Sequence, residues 1–218
     1  MLNEDEVVYK IVLIGESWAG KTSIINRFID DTFNENVIST LSVQFLRKNL
    51  ELPGNKRITL DIWDTAGQER YRSLNRIFYS NAKAVILVYD VTNVASFDEI
   101  KKYWSGQIKQ YCDNSIIIAL AGNKSDLYEE RQVQDDEGEK YAKSMNAIFA
   151  STSAKNDSGI KELFENIAMK ILEVQEEKKK DELANIKKGK KNGKEHNNEN
   201  ANKNVKLNNK VKKRRKCC

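Results

Sequence analysis

A mostly parallel, six-stranded α/β sheet with helices on both faces and one antiparallel edge strand is the fold this 218-residue sequence predicts. Three observations point to it. Short apolar runs alternate along the chain with segments of helical spacing, the pattern of repeated βαβ units. Two of those runs, Lys83–Tyr89 and Ser115–Ala121, are almost continuously apolar, as parallel strands covered on both faces are. Between a further apolar run and a helical segment stands Gly15-Glu16-Ser17-Trp18-Ala19-Gly20-Lys21-Thr22, a G-x-x-x-x-G-K-T loop.

Taken in order, Tyr9–Ile14 is short and apolar enough for a buried strand. Ile24, Ile25 and Phe28 then give residues 22–29 one helical face. Phe33–Leu41 is polar and reads as a loop. Val43–Leu52 and Arg57–Trp63 alternate, and Pro53-Gly54-Asn55 between them is a strong turn signal, so they form a hairpin. Asp64–Arg72 is a loop leading into a short helix. After the strand at 83–89, Phe97, Ile100, Trp104 and Ile108 mark a helix over 96–111. The strand at 115–121 is followed by a helix over 135–145 and a short strand at 147–150. Ile160, Leu163, Phe164, Ile167, Ile171 and Leu172 define a closing amphipathic helix.

Past Gln175 the composition shifts to Lys and Asn, which predicts two regions: a folded domain over 1–175 and a disordered basic tail over 176–218. The tail holds sixteen Lys/Arg against six Asp/Glu, ten net positive charges, so the chain's +5 leaves residues 1–175 at −5. A mildly acidic domain argues against nucleic acid as its partner. No apolar run approaches the roughly 20 residues that span a bilayer, and the acidic start at Met1–Val8 lacks a secretory apolar core. Three cysteines cannot make a disulfide framework, and the expected compartment is reducing, the cytosol. His196 lies in the tail and Cys112 at a helix end, so zinc is not expected.

The chemistry gathers at strand-to-loop junctions, where ligands bind in such sheets. In Gly15–Thr22, backbone N–H groups and the following helix N-terminus favour a polyphosphate. Lys21 is placed to reach the β- and γ-phosphates, and Thr22 to hold Mg²⁺, with Ser23 beside them. Asp64 begins a D-x-x-G segment and suits the Mg²⁺ sphere through water. Gly67 lets its N–H approach a γ-phosphate because no side chain intervenes, and Gln68 can orient an attacking water. Asn123-Lys124-Ser125-Asp126 follows the next strand. Guanine offers N1–H and a 2-amino group side by side, and the Asp126 carboxylate can accept both; adenine lacks that pair. Lys124 and Phe33 are placed to cover the two faces of the base. Ser153-Ala154-Lys155 follows the last strand, with the Ala154 N–H available to guanine O6.

Together Gly15–Thr22, Thr40, Trp63–Glu69, Asn123–Asp126 and Ser153–Lys155 resemble the Ras-like small GTPases over roughly residues 8–172. Trp63 before the aspartate and Gln68-Glu69-Arg70-Tyr71 after it resemble the Rab branch. The resemblance implies a P-loop small G domain: a GTP/GDP switch, dependent on Mg²⁺, that slowly hydrolyses GTP and recruits effectors to regulate vesicle traffic. It implies that Thr22, Thr40 and Asp64 serve the metal and that Gln68 is the catalytic residue. It also implies that Phe45, Trp63 and Phe78 form the aromatic triad that effectors read. An exchange factor, a GTPase-activating protein, an escort protein and a GDP-dissociation inhibitor are the further partners it brings. Within the Rabs, Phe33-Asn34-Glu35 and Ser39–Ser42 look closest to the endosomal Rab-twenty-one type, while Thr92–Val94 and Gln132-Val133 also resemble the Golgi Rab-six type. The expected location is the cytoplasmic face of endosome or Golgi membranes, in exchange with cytosol.

Lys210–Lys216 is a basic run beside Cys217-Cys218, which resembles the doubly prenylated ending of Rabs. Two departures stand out. Trp18 occupies a position where the family has a small residue, and an indole there is expected to crowd the phosphates and alter exchange or hydrolysis. Leu41-Ser42 replaces the usual Ile-Gly. The Trp18 departure keeps a second expectation open, a guanine-nucleotide-binding scaffold impaired in hydrolysis.

Overall fold

In the computed structural model, residues 7–35, 40, 43–65 and 75–192 are described, with side chains at 75, 76 and 185–192 left aside. Six strands form one sheet: β1 Val8–Ile14, β2 Gln44–Leu52, β3 Lys56–Asp64, β4 Ala82–Asp90, β5 Ile117–Asn123 and β6 Ile148–Ser151, in spatial order β2-β3-β1-β4-β5-β6. Only β2 runs antiparallel, against β3; the other neighbours pair in parallel. The sheet the sequence predicts is the sheet observed. The hairpin turns at Gly54 and Asn55, both at positive φ (79° and 57°), where glycine and asparagine are the residues that sit at least cost.

Period-two alternation divides the core. Ile11 and Leu13 of β1, with Ile86 and Val88 of β4, face α1 (Lys21–Asp30) and α6 (Ile160–Asn192) through Ile24, Ile25, Leu163, Phe164 and Ile167. Val12, Ile14, Val85, Leu87 and Tyr89 face the other side. There they meet Phe97 of α3 (Val94–Glu99), Ile108 of α4 (Ser105–Tyr111) and Ala142 of α5 (Asp135–Ser144). Burial on both faces explains why β4 and β5 read as almost continuous apolar runs. The helix predicted over 96–111 carries a π segment at Ile100–Trp104 joining α3 to α4. A short helix α2, Asn75–Tyr79, precedes β4.

Packing separates the chain into two units, Met1–Gln175 and Glu176–Cys218. The ordered secondary structure does not stop at that boundary: α6 runs to Asn192, where composition predicted disorder from residue 176. The reason lies in the same lysines and glutamates. They are good helix formers even where nothing covers them, and residues 176–184 are solvent-exposed. Residues 193–218, including His196, the basic run and Cys217-Cys218, lie outside the described part. Among the described residues no helix is long and apolar enough to cross a membrane.

Candidate functional site

The carboxyl ends of β1, β5 and β6 open onto one cleft of about 350 Å³, and Asp64 at the end of β3 meets its lining residues Thr22 and Thr40. Its phosphate end is built by the turn from β1 into α1. Gly15 has φ 143° and Gly20 φ 90°. A Cβ at Gly15 would sit 2.1 Å from the Val88 carbonyl oxygen, and one at Gly20 would sit 2.2 Å from Asn123 Nδ2. Both positions therefore require glycine, for space as well as conformation. No side chain caps the N-terminus of α1, so its first-turn N–H groups remain available to an anion in the cleft.

Lys21 is buried, and its ammonium donates to the carbonyls of Gly15 and Glu16, each at 2.9 Å. Burial pulls its pKa down to about 8, partly offset by the nearby Asp64 and Glu16 carboxylates. The Glu16 carboxylate accepts from Trp104 Nε1 at 3.3 Å, so the loop is tied to the π segment behind it. Ser17, Trp18, Thr22 and Ser23 line the cleft, and Ala19 is buried beneath it.

Trp18 is the outlier. It holds φ 68°, a left-handed conformation that is strained for a bulky residue. Its side chain is 68% exposed. The indole therefore lines the cleft while most of its surface stays in solvent.

Three oxygens converge beside Lys21. Thr22 Oγ1 donates to Asp64 Oδ2 at 2.6 Å, and Thr22 and Thr40 hydroxyls lie 2.6 Å apart. Thr40 Oγ1 is 3.5 Å from the same carboxylate oxygen. Asp64 Oδ1 and Ser17 Oγ are both buried without a hydrogen-bond partner among the described residues. Burial pushes the Asp64 pKa up, opposed by the Thr22 hydrogen bond, Lys21 and Thr40. A carboxylate with an orphaned oxygen beside two hydroxyls is an all-oxygen donor set, which fits Mg²⁺. Among the described residues no cluster of His, Cys, Asp and Glu offers another metal site.

The base end is made by the loops after β5 and β6. Asn123 is buried; its Nδ2 donates to the Ala19 carbonyl at 2.9 Å, and its Oδ1 accepts from Thr152 at 3.3 Å. That one amide joins the two ends of the cleft. Asp126 Oδ1 accepts from the Ser153 hydroxyl at 2.5 Å, which orients the carboxylate. Lys124, at φ 66°, extends its ammonium to Asp90 Oδ2 at 2.6 Å. Asp90 is itself fixed by the Thr92 N–H and hydroxyl at 2.8 and 2.7 Å. Phe33, Ala154 and Lys155 line the same end.

Sequence reasoning did not single out Asn34, Glu35 or Leu127 as lining residues. Glu35 and Lys155 close the rim with an ion pair at 2.8 Å. Nor did it find Asp90 behind Lys124, or Trp104 behind Glu16. Gly67 and Gln68 lie outside the described residues. Of the aromatic triad, Phe45 is 73% exposed, Trp63 half-buried with its ring centroid 5.7 Å from that of Phe45, and Phe78 buried. Lys10 sits 3.7 Å from the Trp63 ring centroid, a cation–π contact that holds the indole.

A profile described as "Ras family" matches residues 10–173. Ras-related protein Rab-21 of Mus musculus is 44% identical over 165 residues, covering 76% of this chain and 73% of its own length. GTP-binding protein ypt5 of Schizosaccharomyces pombe is 44% identical over 163 residues, covering 74% and 77%. Ras-related protein RabC of Dictyostelium discoideum is 41% identical over 172 residues, covering 77% and 86%.

Proposed function

The chain belongs to the Ras family, within its Rab GTPases, and from the cleft geometry we propose how its own residues carry that activity. It is a small GTPase of vesicle traffic that binds guanine nucleotide and hydrolyses GTP to GDP. The observation that carries the residue assignment is the Asn123 bridge. It sets a guanine-complementary carboxylate, Asp126, and a phosphate turn ending in Lys21 and Thr22 at opposite ends of one cleft.

Asp126 accepts from guanine N1–H and the 2-amino group, while the Ala154 N–H meets O6. Lys124 and Phe33 flank the base. Lys21 and the first turn of α1 hold the phosphates. Thr22, Thr40 and Asp64 would hold Mg²⁺, which would supply charge neutralisation to the phosphates when bound. Gln68 orients the attacking water. No arginine lines the cleft among the described residues, and on this reading intrinsic hydrolysis is slow. An activating protein's arginine would raise the rate by roughly 10³–10⁵, a general magnitude for Ras-type enzymes.

Exchange factors, effectors, an escort protein and a GDP-dissociation inhibitor complete the cycle. The exposed Phe45 and half-buried Trp63 support an effector surface there. Cys217 and Cys218, as prenyl acceptors beside the basic run, would attach the protein to the cytoplasmic face of endosomes or Golgi membranes. Two measurements test this reading. Single-turnover GTP hydrolysis should slow at least tenfold in Gln68→Leu with GTP affinity retained; an unchanged rate removes Gln68 from its role. Imaging a tagged chain should show membrane puncta that disperse when Cys217 and Cys218 are changed to serine; unchanged puncta would refute the anchor.

A further inference from the structure

The loop after β6 is closed at its base. Ser153 N–H donates to the Ser158 carbonyl at 3.0 Å, and Ser158 N–H returns the bond at 3.1 Å. Its outer arc, Ala154 and Lys155, is held by one side chain from the phosphate-binding helix. Arg27 lies on α1, whose first residues are Lys21 and Thr22. Its Nε donates to the Ala154 carbonyl at 2.8 Å, and Nη2 to the Lys155 carbonyl at 3.4 Å. Nη1 donates to the Asp31 carbonyl and carboxylate at 3.0 and 2.6 Å. The Arg27 side chain is 14% exposed, whereas its ion-pair partner Asp31 is 81% exposed. An ion pair with so exposed a carboxylate contributes little. The buried part of the guanidinium is therefore spent on the loop carbonyls.

We infer that Arg27 is a positioning residue for nucleobase choice, acting from the phosphate-binding helix on the loop that meets the base. The inference rests on the reading that this cleft takes guanine. A planar guanidinium donating in fixed directions to two successive carbonyls defines the orientation of the Ala154–Lys155 peptide. Ala154 lines the cleft, and its own N–H meets no protein acceptor among the described residues. The anchored peptide is the one after Ala154, and its own N–H is that of Lys155; with that peptide fixed by Arg27 and the Ser153 N–H paired to the Ser158 carbonyl, Ala154 is held from both sides and its N–H is kept for the base. Guanine O6 is an acceptor and gains a hydrogen bond; the 6-amino group of adenine is a donor and meets a donor. A loop released from Arg27 is free to turn away from either.

The test uses the full chain and equilibrium competition against a fluorescent GDP analogue. GDP, inosine diphosphate and ADP are titrated against wild type and Arg27→Met, which keeps the apolar stem and loses the donors. GDP and inosine diphosphate both carry O6, and both should weaken about tenfold, the loss of one net hydrogen bond. ADP should be unchanged or bind better, so the GDP-over-ADP preference falls about tenfold. Parallel weakening of all three, or no change in any, overturns the proposal. If Arg27→Met does not fold, Arg27→Lys is measured in the same way. Its single ammonium should produce a smaller fall in the same ratio, and a constant ratio overturns the proposal. A failure of the guanine reading appears separately, as a wild-type chain that does not prefer GDP over ADP. The wild-type GDP-to-inosine-diphosphate ratio reports Asp126, and Arg27 should leave it unaltered.

Discussion

Replacing Asn123 with alanine should loosen both ends of the nucleotide cleft at once. The side chain is 2% exposed. Its amide donates to the Ala19 carbonyl at 2.9 Å and accepts from the Thr152 hydroxyl at 3.3 Å. Truncation leaves each of those groups without its partner. An abandoned buried polar atom costs about 1–3 kcal/mol, and the longer contact lies at the weak end of hydrogen-bond geometry. The combined loss is therefore about 2–4 kcal/mol. For a domain of this size that is a fall in Tm of roughly 4–15 °C. The measurement is urea unfolding at one fixed excess of GDP, because bound nucleotide adds its own stabilisation. GDP dissociation is followed in parallel to separate the two contributions. Release should quicken, since the Ala19 carbonyl is what fixes the phosphate turn to the base loop. A loss below about 0.5 kcal/mol with unchanged GDP release would refute the claim that this amide joins the two ends.

Three other changes follow from the same contacts. Trp104→Phe keeps a ring in the core but removes the 3.3 Å donor to Glu16; GDP release should rise roughly two- to fivefold, and an unchanged rate denies the π segment any hold on the phosphate turn. Gly15→Ala places a Cβ 2.1 Å from a strand carbonyl at φ 143°; it should destabilise the fold by about 2–5 kcal/mol, read as a lowered unfolding midpoint, and a wild-type midpoint would contradict the geometry. Burial pushes the Cys112 thiol up to about 11, so it stays protonated below that pH. At pH 8 peptide mapping after alkylation should find Cys112 modified only once the protein is denatured.

Much of this was legible because its signals are local. The almost continuous runs that became β4 and β5, the Pro53-Gly54-Asn55 turn and the Gly15–Thr22 loop each declare themselves within ten residues. The strand ends followed, and with them the places of Lys21, Asp64, Asn123 and Asp126. What escaped is of another kind. Arg27 with Ala154, Lys124 with Asp90, Trp104 with Glu16 and Glu35 with Lys155 are partners far apart in the chain. No periodicity links such residues; only the parallel sheet, by delivering successive strand ends to one edge, brings them together. The π segment was hidden because Phe97, Ile100, Trp104 and Ile108 also satisfy ordinary helical spacing. The extension of α6 to Asn192 was hidden by composition: Lys-rich sequence suggests a solvated tail, and the same residues sustain an exposed helix.

The most direct test is equilibrium competition of GDP against ADP on the full chain, wild type and Asp126→Asn. Because Asp126 is oriented by Ser153 to accept two adjacent donors that only guanine presents, wild type should prefer GDP by at least about 10³-fold. The substitution should weaken GDP by at least about tenfold while leaving ADP nearly unchanged. Equal binding of the two nucleotides by wild type, or a preference that survives Asp126→Asn intact, would contradict the account.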